Sequence, residues 1–242
     1  YLLVQAKYNQ IKLMIRLAHD FLSLIFPLRC RVCAGARLKQ EPFICSSCLI
    51  KLPRELNYNG LNNNTAQRLS GMMKFDRAFS FLRFSKQSKV QHLLHLVKYR
   101  DEVGLGIQLG KWFAAEILFH HRDLFDLIVP VPLHPQRLKH RGYNQSLAVA
   151  QGISQITGHR VSEALSREPT ERTQTGLDRW QRFENTTNEF RLALPGDIAD
   201  KHILLIDDVI TTGATMVGSS KPLVEGGAAG IVVGSVGLTQ ER

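Results

Sequence analysis

Two carboxylates and a run of hydroxyl residues lie side by side in this sequence, directly after a short apolar segment. Asp207 and Asp208 follow the four residues Ile203-Leu204-Leu205-Ile206, and the residues after them are rich in threonine and glycine. The apolar residues are typical of a buried parallel strand. A turn of small residues that opens a helix offers backbone N–H groups and hydroxyls to a phosphate. Because carboxylates beside such a turn can bind sugar hydroxyls or a metal ion, the segment predicts a site for a phosphorylated sugar.

The segment 203–215 resembles the 13-residue signature of type I phosphoribosyltransferases, which bind phosphoribosyl pyrophosphate (PRPP). The resemblance implies that Asp207 and Asp208 are the catalytic acids and engage the ribose hydroxyls, directly or through Mg²⁺. It further implies that a loop cradles the 5-phosphate, and that this loop is Thr211, Thr212, Gly213, Ala214 and Thr215. The alternative is a strand, turn and helix whose acidic pair has no ligand.

A second group of reactive side chains is the set of four cysteines, all within 19 residues. They form two C-x2-C pairs separated by 11 residues, namely Cys30, Cys33, Cys45 and Cys48. Each pair can bind one ion, and the intervening loop can bring the second pair round to complete a tetrahedron. Because four thiolates leave no open position, the spacing predicts a structural zinc site. Two disulfides, which would suit a secreted protein, and an iron–sulfur cluster are the alternatives.

A second strand, loop and helix is expected to lie beside the first. Residues 126–132 read as another parallel strand, residues 133–145 as a loop dense in cations, and residues 144–157 as a helix. Ligands of open α/β sheets bind at the carboxyl ends of the strands. The loop therefore predicts a pyrophosphate site, with Arg137, Lys139 and Arg141 as its cations. A merely solvated basic loop is the alternative.

The order of these motifs along the chain narrows the resemblance from type I phosphoribosyltransferases in general to one family. V-P-V-P-L-H-P-x-R-L-x-x-R-G-Y-N-Q, preceded by the two C-x2-C pairs and followed by D-D-V-x-T-T-G-A-T, is similar to the ComF family of competence proteins and GntX-type proteins. This resemblance runs from about Phe26 to the C-terminus. It implies an α/β, type I phosphoribosyltransferase-like fold: an open, mostly parallel sheet flanked by helices, with a small N-terminal zinc-binding element of four cysteines. It also implies a lid between Arg167 and Phe190, a cytoplasmic location, and a link to DNA uptake and natural transformation.

We divide the chain of 242 residues into four parts. Residues 1–28 are predicted to form an amphipathic N-terminal helix rather than a signal peptide. Residues 29–52 form the zinc-binding element, residues 53–75 a linker, and residues 76–242 the phosphoribosyltransferase-like domain. No run of 18 apolar residues occurs, so no membrane span is expected.

The formal net charge of +10 favours polyanionic partners, either nucleic acid or pyrophosphate. Residues 77–84 contain three phenylalanines interleaved with two arginines, which suits either base stacking or, more commonly, a partly buried edge strand. Three functions remain open. The chain can transfer phosphoribose from PRPP to an unknown nitrogen acceptor, or sense PRPP or a nucleotide without turnover. It can also be an interaction module that binds single-stranded DNA or a DNA-uptake helicase.

Overall fold

The computed structural model of the protein describes residues 27–55, 59–99, 102–168 and 189–240, together with the isolated helical positions 5, 10, 12 and 14. It divides into two compact units, residues 1–51 and residues 52–242. Most of the predicted N-terminal helix, and residues 169–188 of the predicted lid, lie outside the described residues.

The first unit is organised around the cysteines. An antiparallel bridge between Arg29 and Ala36 closes the loop that carries the first C-x2-C pair. Cys45 occupies the N-cap position of the short helix α1 (Ser46–Ile50), so the second pair spans the start of a helix. The unit owes this conformation to turns and bridges, since its described part contains few buried apolar side chains.

The second unit is an α/β sheet domain. Its elements in chain order are α2 (Asn64–Leu69), β1 (Arg77–Phe84), α3 (Lys89–Leu96), α4 (Val103–Glu116), a 3₁₀ helix (Leu118–Leu124), β2 (Leu127–Pro130), α5 (Pro135–Arg141), α6 (Gln145–Thr157), β3 (Arg160–Val161), β4 (Leu165–Arg167), β5 (Phe190–Leu192), a 3₁₀ turn (Pro195–Asp197), β6 (His202–Ile210), α7 (Ala214–Glu225) and β7 (Gly230–Thr239). Five strands form one sheet in the order β1-β7-β6-β2-β3, and every neighbouring pair is parallel. Strands β4 and β5 form a separate antiparallel pair.

The apolar runs seen in the sequence form the centre of this sheet. Residues Ile203 to Ile206 in β6 are fully buried, as are Ile128 and Val129 in β2. Strands buried on both faces require apolar residues at successive positions rather than at alternate ones. The unbroken apolar run is therefore a consequence of helices that cover both faces of the sheet.

Two glycines allow helices α4 and α6 to pack closely. A Cβ atom at Gly110 would overlap the carbonyl oxygen of Val149, and one at Gly152 would overlap that of Ile107. The backbones thus touch without intervening side chains. This contact fixes α6, whose first residues reach the candidate site, against the rest of the domain.

The segment 53–75 is not the linker that the sequence predicts. It contains helix α2, and Glu55, Asn63 and Thr65 are buried. The Asn63 side chain accepts from Ala66 N at 2.8 Å and donates to the Ala78 carbonyl of β1 at 2.7 Å. The polar residues that suggested a loop are therefore a helix cap and buried hydrogen-bonding groups.

The predicted fold class is confirmed in its main features: an open parallel sheet flanked by helices, preceded by a cluster of four cysteines. Across the ranges that the structure describes, none of the helices has the length and hydrophobicity needed to span a bilayer. Phe79 and Phe81 of edge strand β1 are fully buried, so they are packing residues and do not offer stacking surfaces.

Candidate phosphate and pyrophosphate site

The two acids lie within strand β6 rather than after it. The strand continues through both residues to Ile210, and Asp207 stands opposite Ser235 of β7. Asp207 is buried, with 8% of its surface exposed, whereas Asp208 is only half-buried. The two adjacent acids therefore have different environments, which the sequence does not reveal.

Asp207 is held from two sides. The Ser146 hydroxyl of α6 donates to its Oδ1 at 2.8 Å, and the Asp208 backbone N–H donates to the same oxygen at 2.8 Å. Burial, together with the neighbouring charge of Asp208, raises the pKa of Asp207 to about 8. Near neutral pH this carboxyl therefore holds a proton, while Asp208 is the more accessible acid.

The threonine and glycine residues form a tight turn into helix α7. Gly213 has a φ of +87°, and a Cβ atom there would stand 2.8 Å from Leu69 Cδ2. Thr211 and Thr212 are exposed, and α7 begins at Ala214. The first N–H groups of an α-helix have no partner within the helix, so this terminus suits an anion. Of the five predicted phosphate-binding residues, Thr211, Thr212 and Gly213 form the turn, and Ala214 and Thr215 are the first residues of α7.

The predicted basic loop is instead mostly a helix. Helix α5 begins after His134, whose Nδ1 accepts from Gln136 N at 3.3 Å, and has Pro135 in its first turn. It ends at Gly142, where φ is +79°. A cap, an early proline and a terminal glycine are the local signals for this helix.

The cations of α5 face those at the end of α3 across a cleft of about 620 Å³. Among the residues that the structure describes, its lining contains four lysine or arginine side chains and no carboxylate: His95, Lys98, Tyr99, Gln136, Arg137, Lys139, His140, Arg141 and Gly142. The sequence predicts three of these residues and misses the contribution of α3. The sequence Lys98-Tyr99-Arg100 by itself indicates only the end of a helix. Tyr99 is 54% exposed and packs edge-on against His95, with ring centroids 5.4 Å apart.

The start of helix α6 joins the basic helix to the acids. Arg141 donates to Gln145 Oε1 at 2.7 Å, and the next residue, Ser146, donates to Asp207. Asn144 Nδ2 donates to the Val131 carbonyl just after β2 at 3.0 Å. Since Val131 N in turn donates to the Ile206 carbonyl at 2.9 Å, both loops leave the sheet at the same edge.

Tyr143 is a further residue of this edge that the sequence did not single out as functional. Its hydroxyl donates to the Val97 carbonyl at the end of α3. Burial, assisted by the charges of Asp208 and Glu102, raises the pKa of Tyr143 to about 12. It stays a neutral donor and ties α3 to the start of α6, which maintains the cleft.

In the first unit the four cysteines do come together. Their Sγ atoms all lie within 4.8 Å of one another, and those of Cys33 and Cys45 are 3.9 Å apart. A tetrahedral zinc site with Zn–S bonds of about 2.3 Å requires sulfur atoms about 3.8 Å apart. Val32 N and Cys45 N donate to Cys30 Sγ at 3.4 and 3.3 Å. Burial opposes ionisation of Cys30, but backbone N–H groups lower its pKa to about 6. All four thiols are free of disulfides.

No protein-family model matches the chain, but curated relatives do. DNA utilization protein YhgH of Escherichia coli (strain K12) is 34% identical over 146 residues, which cover 58% of this chain and 63% of that protein. Competence protein F of Haemophilus influenzae is 36% identical over 106 residues, 43% of this chain and 46% of the relative. Competence protein ComFC of Streptococcus pneumoniae is 34% identical over 116 residues, 48% and 49% of the two chains. These relatives confirm the predicted resemblance to the ComF group, although the chain spans less than two thirds of their length.

Similar solved structures include the glutamine PRPP amidotransferase of B. subtilis complexed with ADP and GMP. It is 21% identical, with a TM-score of 0.38, and the matched region covers 54% of this chain and 25% of the amidotransferase chain. The phosphoribosylpyrophosphate synthetase of Mycobacterium smegmatis is 22% identical, with a TM-score of 0.33 and coverage of 53% and 33%.

Proposed function

We propose that this chain binds PRPP at the carboxyl ends of β2 and β6 and transfers its phosphoribosyl group to a nitrogen acceptor. One observation carries the proposal: three kinds of group that PRPP requires open at one edge of the sheet. They are the helix terminus at 211–215, the acid pair Asp207 and Asp208, and the cationic helix α5. The first suits a phosphate, the second ribose hydroxyls, and the third pyrophosphate.

In this proposal the N–H groups and hydroxyls of residues 211–215 bind the 5-phosphate. Asp208 accepts from the ribose hydroxyls, and Asp207 is held in place by the hydrogen bond from Ser146. The bond between C1 and the pyrophosphate oxygen breaks, and the electron pair leaves with pyrophosphate, whose charge meets Arg137, Lys139 and Arg141. A nitrogen atom of the acceptor then bonds to C1, and its proton passes to a carboxylate or to solvent. A carboxylate of the acid pair stabilises the positive charge that develops on the ribose as the bond to pyrophosphate breaks.

The acid pair also fits a magnesium ion, since carboxylate oxygens are its preferred protein ligands. Bound together with PRPP, Mg²⁺ would neutralise part of the pyrophosphate charge. Asp208 is the residue offered for this contact, because it is more exposed than Asp207.

Calorimetric titration with Mg·PRPP tests the proposal. We expect the wild type to bind, and Asp208→Asn to bind far more weakly or to react about 10²–10³-fold more slowly. Asp123→Asn is the matched control, because that side chain is 98% exposed on the 3₁₀ helix before β2. No binding by the wild type at millimolar ligand would refute a PRPP site. Binding without pyrophosphate release for any nucleobase would contradict transfer and favour a sensor.

We further propose that the four cysteines bind one structural zinc ion. The sulfur separations fit a tetrahedron, and the N–H groups around Cys30 support its thiolate. Elemental analysis of the purified protein should find one zinc per chain, lost in Cys30→Ser. Iron in its place, or less than a tenth of the expected zinc, would contradict the assignment.

The names of the relatives support a role in DNA uptake and natural transformation, and the cleft favours direct contact with single-stranded DNA as a second activity. Cations beside an exposed aromatic ring are the combination that binds a phosphate backbone and stacks a base. Lys98 and Tyr99, which follow the end of α3, provide this combination in the wall of the cleft.

Binding of a fluorescent oligothymidine at several salt concentrations tests this activity. Lys98→Ala should reduce the salt slope by about one, whereas Tyr99→Ala should weaken binding at every salt concentration with the slope unchanged. Lys221→Ala, which removes an exposed lysine of α7 outside the cleft, is the control. A flat salt dependence in the wild type would exclude phosphate contacts and favour a protein partner such as a DNA-uptake helicase.

A further inference from the structure

Helix α2, in the segment that the sequence predicts as a linker, is fixed firmly to the sheet. The Thr65 hydroxyl donates to Ser80 Oγ of β1 at 2.8 Å, and Ser80 Oγ lies 2.7 Å from Ser235 Oγ of β7. Asn63 adds its bond to the Ala78 carbonyl. These buried polar contacts leave α2 little freedom to move relative to β1 and β7.

From this rigid base, two neighbouring residues of α2 reach the turn at 211–215. Leu69 is fully buried and lies directly beneath Gly213. Arg68 extends its guanidinium between two carbonyls, donating through Nη1 to Thr211 O and through Nη2 to Thr239 O at 3.0 Å. Arg68 therefore ties the turn to the end of strand β7, 171 positions after it in the chain.

The bond to Thr211 O determines where the next amide points. All peptide bonds of the described structure are trans, and in a trans peptide the C=O and the following N–H point in opposite directions. Because the Thr211 carbonyl is turned toward Arg68, the Thr212 N–H is turned away from α2. A carbonyl that pointed the other way would present negative charge where a phosphate is expected.

We propose that Arg68 is a positioning residue of the phosphate site, which holds the Thr211–Thr212 peptide with its N–H directed at the ligand. The inference rests on the proposed function for the identity of the ligand, and on the hydrogen bonds above for the geometry. Arg68 acts through the peptide, so a planar, two-pronged donor is required and a single positive charge does not suffice.

Two measurements on Arg68→Met and Arg68→Lys test this role. The first is the backbone amide order parameter of Thr212 in the ligand-free protein, from 15N NMR relaxation, which should fall from about 0.85 toward about 0.6 in both variants. The second is the affinity for ribose 5-phosphate and for Mg·PRPP, which should fall about tenfold or more in both, the loss expected for a hydrogen bond to a charged group. Arg122→Met removes the same charge from the 3₁₀ helix before β2, away from the turn, and should change neither quantity.

The lysine variant separates positioning from simple attraction. If Arg68→Lys matches the wild type in affinity and in the Thr212 order parameter while Arg68→Met does not, the side chain contributes only its charge, and the proposal is wrong. An unchanged Thr212 order parameter in both variants overturns it as well. Should the wild type fail to bind Mg·PRPP, the proposed function fails, and the order parameters still decide whether Arg68 holds the turn. Circular dichroism establishes that each variant is folded, and Arg68→Lys is available if the methionine variant is not.

Discussion

Replacement of Asp207 by asparagine should make the protein more stable at high pH and change the pH dependence of its unfolding. In the folded protein burial and the charge of Asp208 raise the pKa of Asp207 to about 8, whereas an unfolded aspartate titrates near a pKa of about 3.9. Between these values the folded state binds one proton more than the unfolded state. The free energy of unfolding therefore falls as pH rises through this window. Asparagine resembles the protonated acid and can accept the same two hydrogen bonds from Ser146 and Asp208, so it lacks this dependence.

The size of the effect follows from linkage. Each pH unit in the window changes the free energy of unfolding by about 1.4 kcal/mol for one proton. Between pH 5 and pH 7 Asp207→Asn should thus gain up to about 3 kcal/mol relative to the wild type. Below about pH 4 the difference should level off, because the unfolded aspartate then binds its proton as well.

Urea unfolding at half-unit pH intervals from 4 to 8 measures this difference. Asp123→Asn, on the exposed 3₁₀ helix, serves as the control and should follow the wild type throughout. Parallel curves for Asp207→Asn and the wild type would show that the buried carboxyl is ionised at neutral pH. In that case the division of roles between Asp207 and Asp208 proposed above would be wrong.

Three further predictions concern the turn, the helix contact and the cysteines. In thermal melts, Gly213→Ala should destabilise the protein by about 1–3 kcal/mol, and it should also weaken phosphate binding, because a positive φ and the contact with Leu69 both oppose a side chain. Gly158→Ala is the control and should destabilise the protein less, because Gly158 has a positive φ but open space around it. Equal losses in the two variants would contradict the role of the contact with Leu69. Gly110→Val should cost several kcal/mol in urea unfolding, since the added atoms overlap the backbone of α6, and a loss below about 1 kcal/mol would refute the close approach. Removal of metal with a strong chelator should increase proteolysis of residues 27–50, and added zinc, but not magnesium, should restore the protection. Protection that the chelator does not change would argue against a structural ion.

The strand, turn and helix at 203–215 could be predicted from sequence because each part depends on near neighbours. Four apolar residues specify a buried strand, and Gly213 supplies the positive φ from which α7 starts. The cysteine cluster is predictable for the same reason, since two C-x2-C pairs need only a short loop to meet. The basic segment lies where the sequence predicts it, but it forms helix α5 rather than a loop, and its local signals are the cap, the proline and the glycine that bound α5.

Residue types and spacing alone determined which chemical groups this protein carries: two acids beside a phosphate turn, a set of cations after a second strand, and four thiols with metal-ligand spacing. Only the tertiary structure decided how these groups differ and cooperate. Ser146 reaches Asp207 across 61 positions, and Arg68 reaches Thr211 across 143. Such contacts depend on the order of the strands in the sheet and on which helix covers which edge. Burial of Asp207 but not Asp208, and the facing of α3 and α5 across the cleft, arise from that packing rather than from any local pattern.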